Sequence, residues 1–77
     1  MKAAIEGVFF REFGLTADML GDDLVYDSVP EWSSASHMML IMGLEQEFDV
    51  EFDADEIVSM LSVGAIEQVL RTHGHGA

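Results

Sequence analysis

The 77-residue chain has no cysteine, which removes disulfide staples and thiolate metal sites together. No window approaches the roughly 18–20 uninterrupted apolar residues of a membrane span. The opening "MKAAIEGVFFREF" places Glu6, Arg11 and Glu12 inside its apolar run, which argues against a secretory signal. Basic residues are nearly absent: three face fifteen acidic ones, a formal net charge of −12. Such a surface repels phosphate backbones and attracts basic protein patches, with association helped by long-range steering. Nucleic acid is therefore not an expected partner. Internal repeats, low-complexity stretches and linkers are missing too, so residues 1–77 read as one domain. A domain near this size buries only about 60% of the surface its unfolded chain exposes, and a deep enclosed active site is not expected. The reading so far is a free-standing, monomeric, cytoplasmic protein.

What is present is apolar periodicity. Ile5, Val8, Phe9 and Phe13 recur at helical spacing, and Gly14 follows as a natural stop, predicting a first helix over 2–13. Residues 14–33 lack a sustained period and contain Gly21, Asp22, Asp23 and Pro30, with at most a helical turn near "TADML". Loops of this length are uncommon in compact domains and are usually functional or disordered. The apolar pegs Leu15, Leu20, Leu24, Val29 and Trp32 favour a loop pinned to the core.

The clearest element is "SASHMMLIMGLEQEF", residues 34–48. At about 100° per residue, His37, Leu40, Ile41, Leu44 and Phe48 form one stripe, the expected buried face. Ala35, Met38, Met39 and Met42 form a second stripe on nearly the opposite side. One helix of a small bundle rarely buries both, so part of the methionine stripe is expected to stay exposed, as an adaptable contact surface.

Asp53, followed three residues later by Glu56, makes a capping box for a short third helix near 54–60. The alternation of Asp49, Glu51, Asp53 and Asp55 does not make a calcium loop, because Ala54 replaces the glycine of its sharp turn and Met60 the bidentate glutamate of its last position. Ser62 can cap a fourth helix over 63–72 that buries Ile66, Val69 and Leu70, with Gly74 past its end. The two histidines of "HGHGA" are too few for a metal site, and the tail reads as a frayed terminus.

Catalytic constellations are not found. His37 lies three residues after Ser34, but no third group orients it and no nucleophile elbow frames the serine, so His37 reads as a packing residue. What remains is a serine at a helix start, an apolar stripe beginning one residue later, and acid around both. The first backbone N–H groups of a helix are unpaired and its dipole favours an anion, so a phosphodiester on such a serine is stabilised at little structural cost. The role implied is tethering.

The segment "WSSASHMMLIMGLEQEFDVEF" resembles acyl carrier proteins, those whose second helix opens with tryptophan, an Asp-Ser-Leu-like triplet and then histidine. The resemblance extends over nearly the whole chain, from a first helix and an acidic loop with "VPEW" to a fourth helix at "SVGAIEQVL". It implies an all-α fold, the small four-helix carrier bundle, with a long loop between the first two helices. It also implies a 4′-phosphopantetheine arm, derived from coenzyme A, on a serine at the start of the second helix. That arm would carry acyl or aminoacyl groups as thioesters for fatty acid, polyketide or related biosynthesis, in a protein that is not itself an enzyme. The implied partners are a phosphopantetheinyl transferase, a loading ligase and downstream acyl-transfer enzymes with basic docking patches. Contacts carried over to this chain are Ala35, Met38, Met42, Glu45 and Glu47.

Of the four serines in "YDSVPEWSSAS", the resemblance selects Ser34, fourteen residues before Phe48, over Ser28, which is twenty before it. Ser33 is the second choice. Where the family carries aspartate before the serine and leucine or methionine after it, this chain has Ser33 and Ala35, positions that contribute to recognition by the transferase. The alternative reading is an unmodified carrier-like protein that acts only as an acidic docking partner.

Self-repulsion among fifteen carboxylates predicts that added sodium chloride or divalent cations raise the melting temperature at neutral pH. A thermal melt followed by circular dichroism checks this; indifference to salt would mean that the carboxylates are already paired or well separated.

Overall fold

The computed structural model describes residues 2–75, which form an all-α protein of four helices without strands among them. Helix α1 spans Lys2–Phe13 and buries Ile5, Val8 and Phe9, spaced so that all three fall on one side. It stops at Gly14, whose φ of 73° is the left-handed conformation open to glycine, with its N–H donating to the Phe10 carbonyl at 2.9 Å.

The long connection to the next helix is ordered by its pegs. Leu15, Leu20, Leu24 and Trp32 are buried and Val29 is half-buried, and the helical turn expected near "TADML" is a 3-10 turn at Ala17–Met19. Tyr26 N–H donates to the Leu61 carbonyl at 2.8 Å, and Val25 forms an isolated bridge with Ser62. The loop is thereby tied to the segment between the last two helices. Within the loop Asp27 has φ of 67°, a left-handed conformation that aspartate tolerates better than most side chains.

Helix α2 spans Ser34–Phe48 and buries His37, Leu40, Ile41, Gly43 and Leu44; Phe48, expected on the same face, is half-buried at the helix end. Gly43 sits where α1 crosses. A Cβ there would come within 3.0 Å of Val8 Cγ1 and 3.1 Å of Glu12 Cγ, so the missing side chain permits the close approach. Helix α3, Ala54–Ser59, begins with the expected capping box: Asp53 Oδ1 accepts the Glu56 N–H at 2.8 Å, and Glu56 Oε1 accepts the Asp53 N–H at 3.0 Å. Helix α4, Val63–Thr72, is capped by Ser62 Oγ, which accepts the Ala65 N–H at 3.1 Å.

The end of α4 departs from the frayed tail expected. His75 N–H donates to the Leu70 carbonyl and Gly74 N–H to that of Arg71, both at 3.0 Å, around Gly74 at φ of 90°. This is the Schellman arrangement, which turns the chain back onto the bundle. The His75 ring accordingly packs edge-on to Phe48 with centroids 5.3 Å apart, and His73 Nε2, at the helix end before the turn, lies 2.9 Å from Glu56 Oε2. Residues 76 and 77 lie outside the described part.

Trp32 sits at the centre of the core. It is fully buried, 5.2 Å from the Phe9 ring in an edge-to-face arrangement and 6.2 Å from Phe13. Trp32→Ala is expected to lower the unfolding free energy by about 3–5 kcal/mol, read from urea denaturation. Val58→Ala, at an exposed position of α3, should stay within about 0.5 kcal/mol of the parent; equal losses at both sites would contradict this account of the core.

Candidate functional site

The four serines of residues 26–36 differ in what their hydroxyls already do. Ser28 Oγ accepts the Val25 N–H at 3.0 Å and donates to the Val25 carbonyl at 2.6 Å, which closes the turn around Asp27. Ser33 is the half-buried N-cap of α2, in extended conformation with φ of −119° and ψ of 178°. Ser36, one turn in, reaches back: its Oγ accepts the Ser33 N–H at 2.9 Å and donates to the Glu31 carbonyl at 2.7 Å. Ser34 is the first residue of α2 and is exposed. Among the described residues, the side-chain hydrogen bonds of this segment run through Ser33 and Ser36 and leave the Ser34 hydroxyl out.

The setting of Ser34 suits an anion. The first N–H groups of a helix have no preceding carbonyl to bond, and the helix dipole adds a partial positive charge at this end. No acidic side chain stands in the first turn of α2, although the chain as a whole carries a charge of −12.

The methionine stripe is exposed, as its period predicted. Met38, Met39 and Met42 are 47%, 51% and 55% exposed, and Ala35 is open as well. Met38 and Met42 follow Ser34 at successive turns, so serine and stripe share one side of α2. The two glutamates carried over with the stripe are placed differently. Glu45 stands on the same side, but its Oε2 accepts the Phe52 N–H at 2.9 Å, fastening the segment after α2. Glu47 lies about 180° around the helix from Met38, where it faces α1 and comes within 3.5 Å of Arg11 Nη1. That pair is half exposed, and such surface pairs contribute little to stability.

His37, three residues after Ser34 and about 60° around the helix from it, is buried. Trp32 Nε1–H donates to His37 Nδ1 at 3.0 Å, and His37 Nε2 lies 3.0 Å from the Ile57 carbonyl. An indole N–H only donates, so Nδ1 is the unprotonated nitrogen and Nε2–H donates to Ile57. With both nitrogens engaged, His37 does not serve the Ser34 hydroxyl. The sequence reading placed His37 in the core without this role; its one local signal is a buried polar residue that needs partners, five positions after a tryptophan. Among the described residues no group of three or more metal-ligating side chains comes together.

Comparison with protein-family models, with curated proteins and with solved structures finds no match.

Replacing His37 by leucine keeps an apolar side chain on the buried face and strands the Trp32 N–H and the Ile57 carbonyl. The expected loss is about 1–3 kcal/mol for a buried polar group left without its partner, measured by urea denaturation with tryptophan emission as the probe. A His37→Leu protein as stable as the parent would show that the two bonds contribute nothing net.

Proposed function

We propose that this chain is an acyl carrier-type protein that holds a 4′-phosphopantetheine arm on Ser34 and presents it to partner enzymes. The observation that carries the reading is the state of Ser34: exposed, first in a fifteen-residue helix, and outside the hydrogen bonds that occupy Ser28, Ser33 and Ser36. The residues present fit the group. Ser34 offers a hydroxyl oxygen for a phosphodiester, the α2 N-terminus favours the negative charge, and no carboxylate in the first turn opposes it. Once attached, the arm's terminal thiol supplies the thioester chemistry.

The chain's own part is positional. Helix α2 fixes where the attachment point stands, and Ala35, Met38 and Met42 give a partner an apolar surface beside it. The surrounding acid steers basic patches toward that surface. No histidine, lysine or arginine comes within hydrogen-bonding distance of the Ser34 hydroxyl among the described residues, so the base that activates it comes from the transferase. The partners proposed are that transferase, a loading ligase and acyl-transfer enzymes with basic docking patches, in the cytoplasm; the carrier itself is a monomer and not an enzyme.

Ser33 and Ala35, at the places where the transferase reads its substrate, favour one second reading: an unmodified carrier-like protein that only docks. Incubation of the chain with coenzyme A and phosphopantetheinyl transferases of differing specificity, followed by intact-mass measurement, separates the two. The expected result is a gain of one 4′-phosphopantetheine group that is lost in Ser34→Ala and retained in Ser28→Ala. No gain with any transferase would favour the docking-only reading. A gain that persists in Ser34→Ala would overturn the site.

A further inference from the structure

With no cysteine in the chain, its thioethers are its only oxidisable sulfurs, and they are unevenly placed. Met60 is fully buried. Met38, Met39 and Met42 are each about half exposed and fall within five consecutive positions on one side of α2. Met38 stands one turn from Ser34, at a position next to it on the helix surface. Met19 is exposed on the 3-10 turn, outside α2.

We propose that Met38, Met39 and Met42 form a reversible oxidation site whose oxidant is a hydroperoxide and whose effect is to switch off docking beside Ser34. In each step a thioether sulfur lone pair attacks the terminal peroxide oxygen and an S–O bond forms as the O–O bond breaks. With hydrogen peroxide, the departing hydroxide takes the proton from the transferred oxygen and leaves as water. Sulfur is oxidised by two electrons to the sulfoxide, and the peroxide is reduced by two. Sulfoxide reductases reverse the change: a dithiol supplies two electrons and two protons and becomes a disulfide, and the sulfoxide oxygen leaves as water. The net charge of −12 favours this neutral oxidant over an anionic one.

The sulfoxide is polar where the thioether was apolar, so three conversions replace the apolar centre of the docking face by three strong acceptors. The bundle does not depend on these side chains, because the buried face of α2 is made by His37, Leu40, Ile41 and Leu44. Oxidation therefore acts on docking and leaves the fold in place. The effect on docking rests on the carrier reading; the oxidation site itself does not.

The test has two arms. In the first, the chain is titrated with hydrogen peroxide and the sulfoxides are located by peptide mapping. Met38, Met39 and Met42 should oxidise faster than Met60 by about tenfold or more, with unchanged circular dichroism, and methionine sulfoxide reductases A and B should restore the original mass. Equal rates at Met60, unfolding with oxidation, or sulfoxides that the reductases cannot repair would overturn the site.

In the second arm, each protein's rate of modification by a phosphopantetheinyl transferase is compared before and after peroxide treatment. The parent and Met19→Leu should slow by about tenfold and recover on reductase treatment, whereas the ratio for Met38→Leu/Met39→Leu/Met42→Leu should stay near one. An unchanged rate in the oxidised parent, or an equal loss in the triple variant, would overturn the switch. If no transferase modifies the untreated parent, the carrier reading fails and the switch with it, and the first arm still decides the oxidation site.

Discussion

The hydrogen bond from Trp32 to His37 is the joint on which the arrangement of this small protein turns. On one side, the indole packs into the core against Phe9 and Phe13 and so fixes the end of the long loop. On the other, the imidazole belongs to α2 and passes the connection on to the Ile57 carbonyl of α3. The end of the loop, the start of α2 and, twenty residues on, α3 meet within two hydrogen bonds of 3.0 Å. α3 has six residues and none fully buried; it is held by the bond to His37, the packing of half-buried Ile57 on the core, and the contact of Glu56 with His73. Ser34 inherits its place from the same joint, standing two residues after the buried tryptophan and three before the buried histidine. Rigid anchoring of its neighbours leaves the serine itself outward and unencumbered.

The charge distribution adds a second constraint. A bundle that carries fifteen carboxylates on a small core needs its apolar contacts concentrated, and the long loop supplies a share of them through Leu15, Leu20, Leu24 and Trp32. The loop is a layer of the core that happens to lack helical period. Acid is absent from the first turn of α2, where it would oppose an anion. The first turns of α1 and α4 are free of acid as well, so what sets the start of α2 apart is the open Ser34 hydroxyl beside the helix dipole.

Much of the fold was legible in the sequence because its signals are local. Gly14, Asp53 with Glu56, and Ser62 mark helix ends through backbone chemistry that needs no tertiary information. The two stripes of α2 follow from the 3.6-residue period, and both were placed on the correct sides. What could not be read were contacts between distant segments: the His37 bond to Ile57, twenty residues away, the pairing of His73 with Glu56, and the return of the tail. The tail illustrates the reason. "HGHG" has the composition of a frayed end, yet Gly74 in left-handed conformation closes the helix and turns His75 back against Phe48, while His73, still at the helix end, packs against Phe52. The glutamates of α2 teach the same lesson, since sequence gives their face but not that Glu45 is engaged by Phe52 and Glu47 by Arg11.

Among the serines, hydrogen-bond occupancy is a criterion independent of motif and of spacing. Ser28 follows an aspartate and looks most like a modification triplet, but its hydroxyl closes a turn in which Asp27 already holds a left-handed conformation. To free it, the chain would have to give up both bonds at a strained point of the loop. Ser33 and Ser36 are committed to the start of α2, one as its cap and the other as the group that ties the cap to Glu31. Their modification would loosen the helix end that an attached phosphodiester needs for its own stabilisation. Ser34 can be modified without any of these losses. The serines around it matter because they do the structural work that Ser34 is thereby spared.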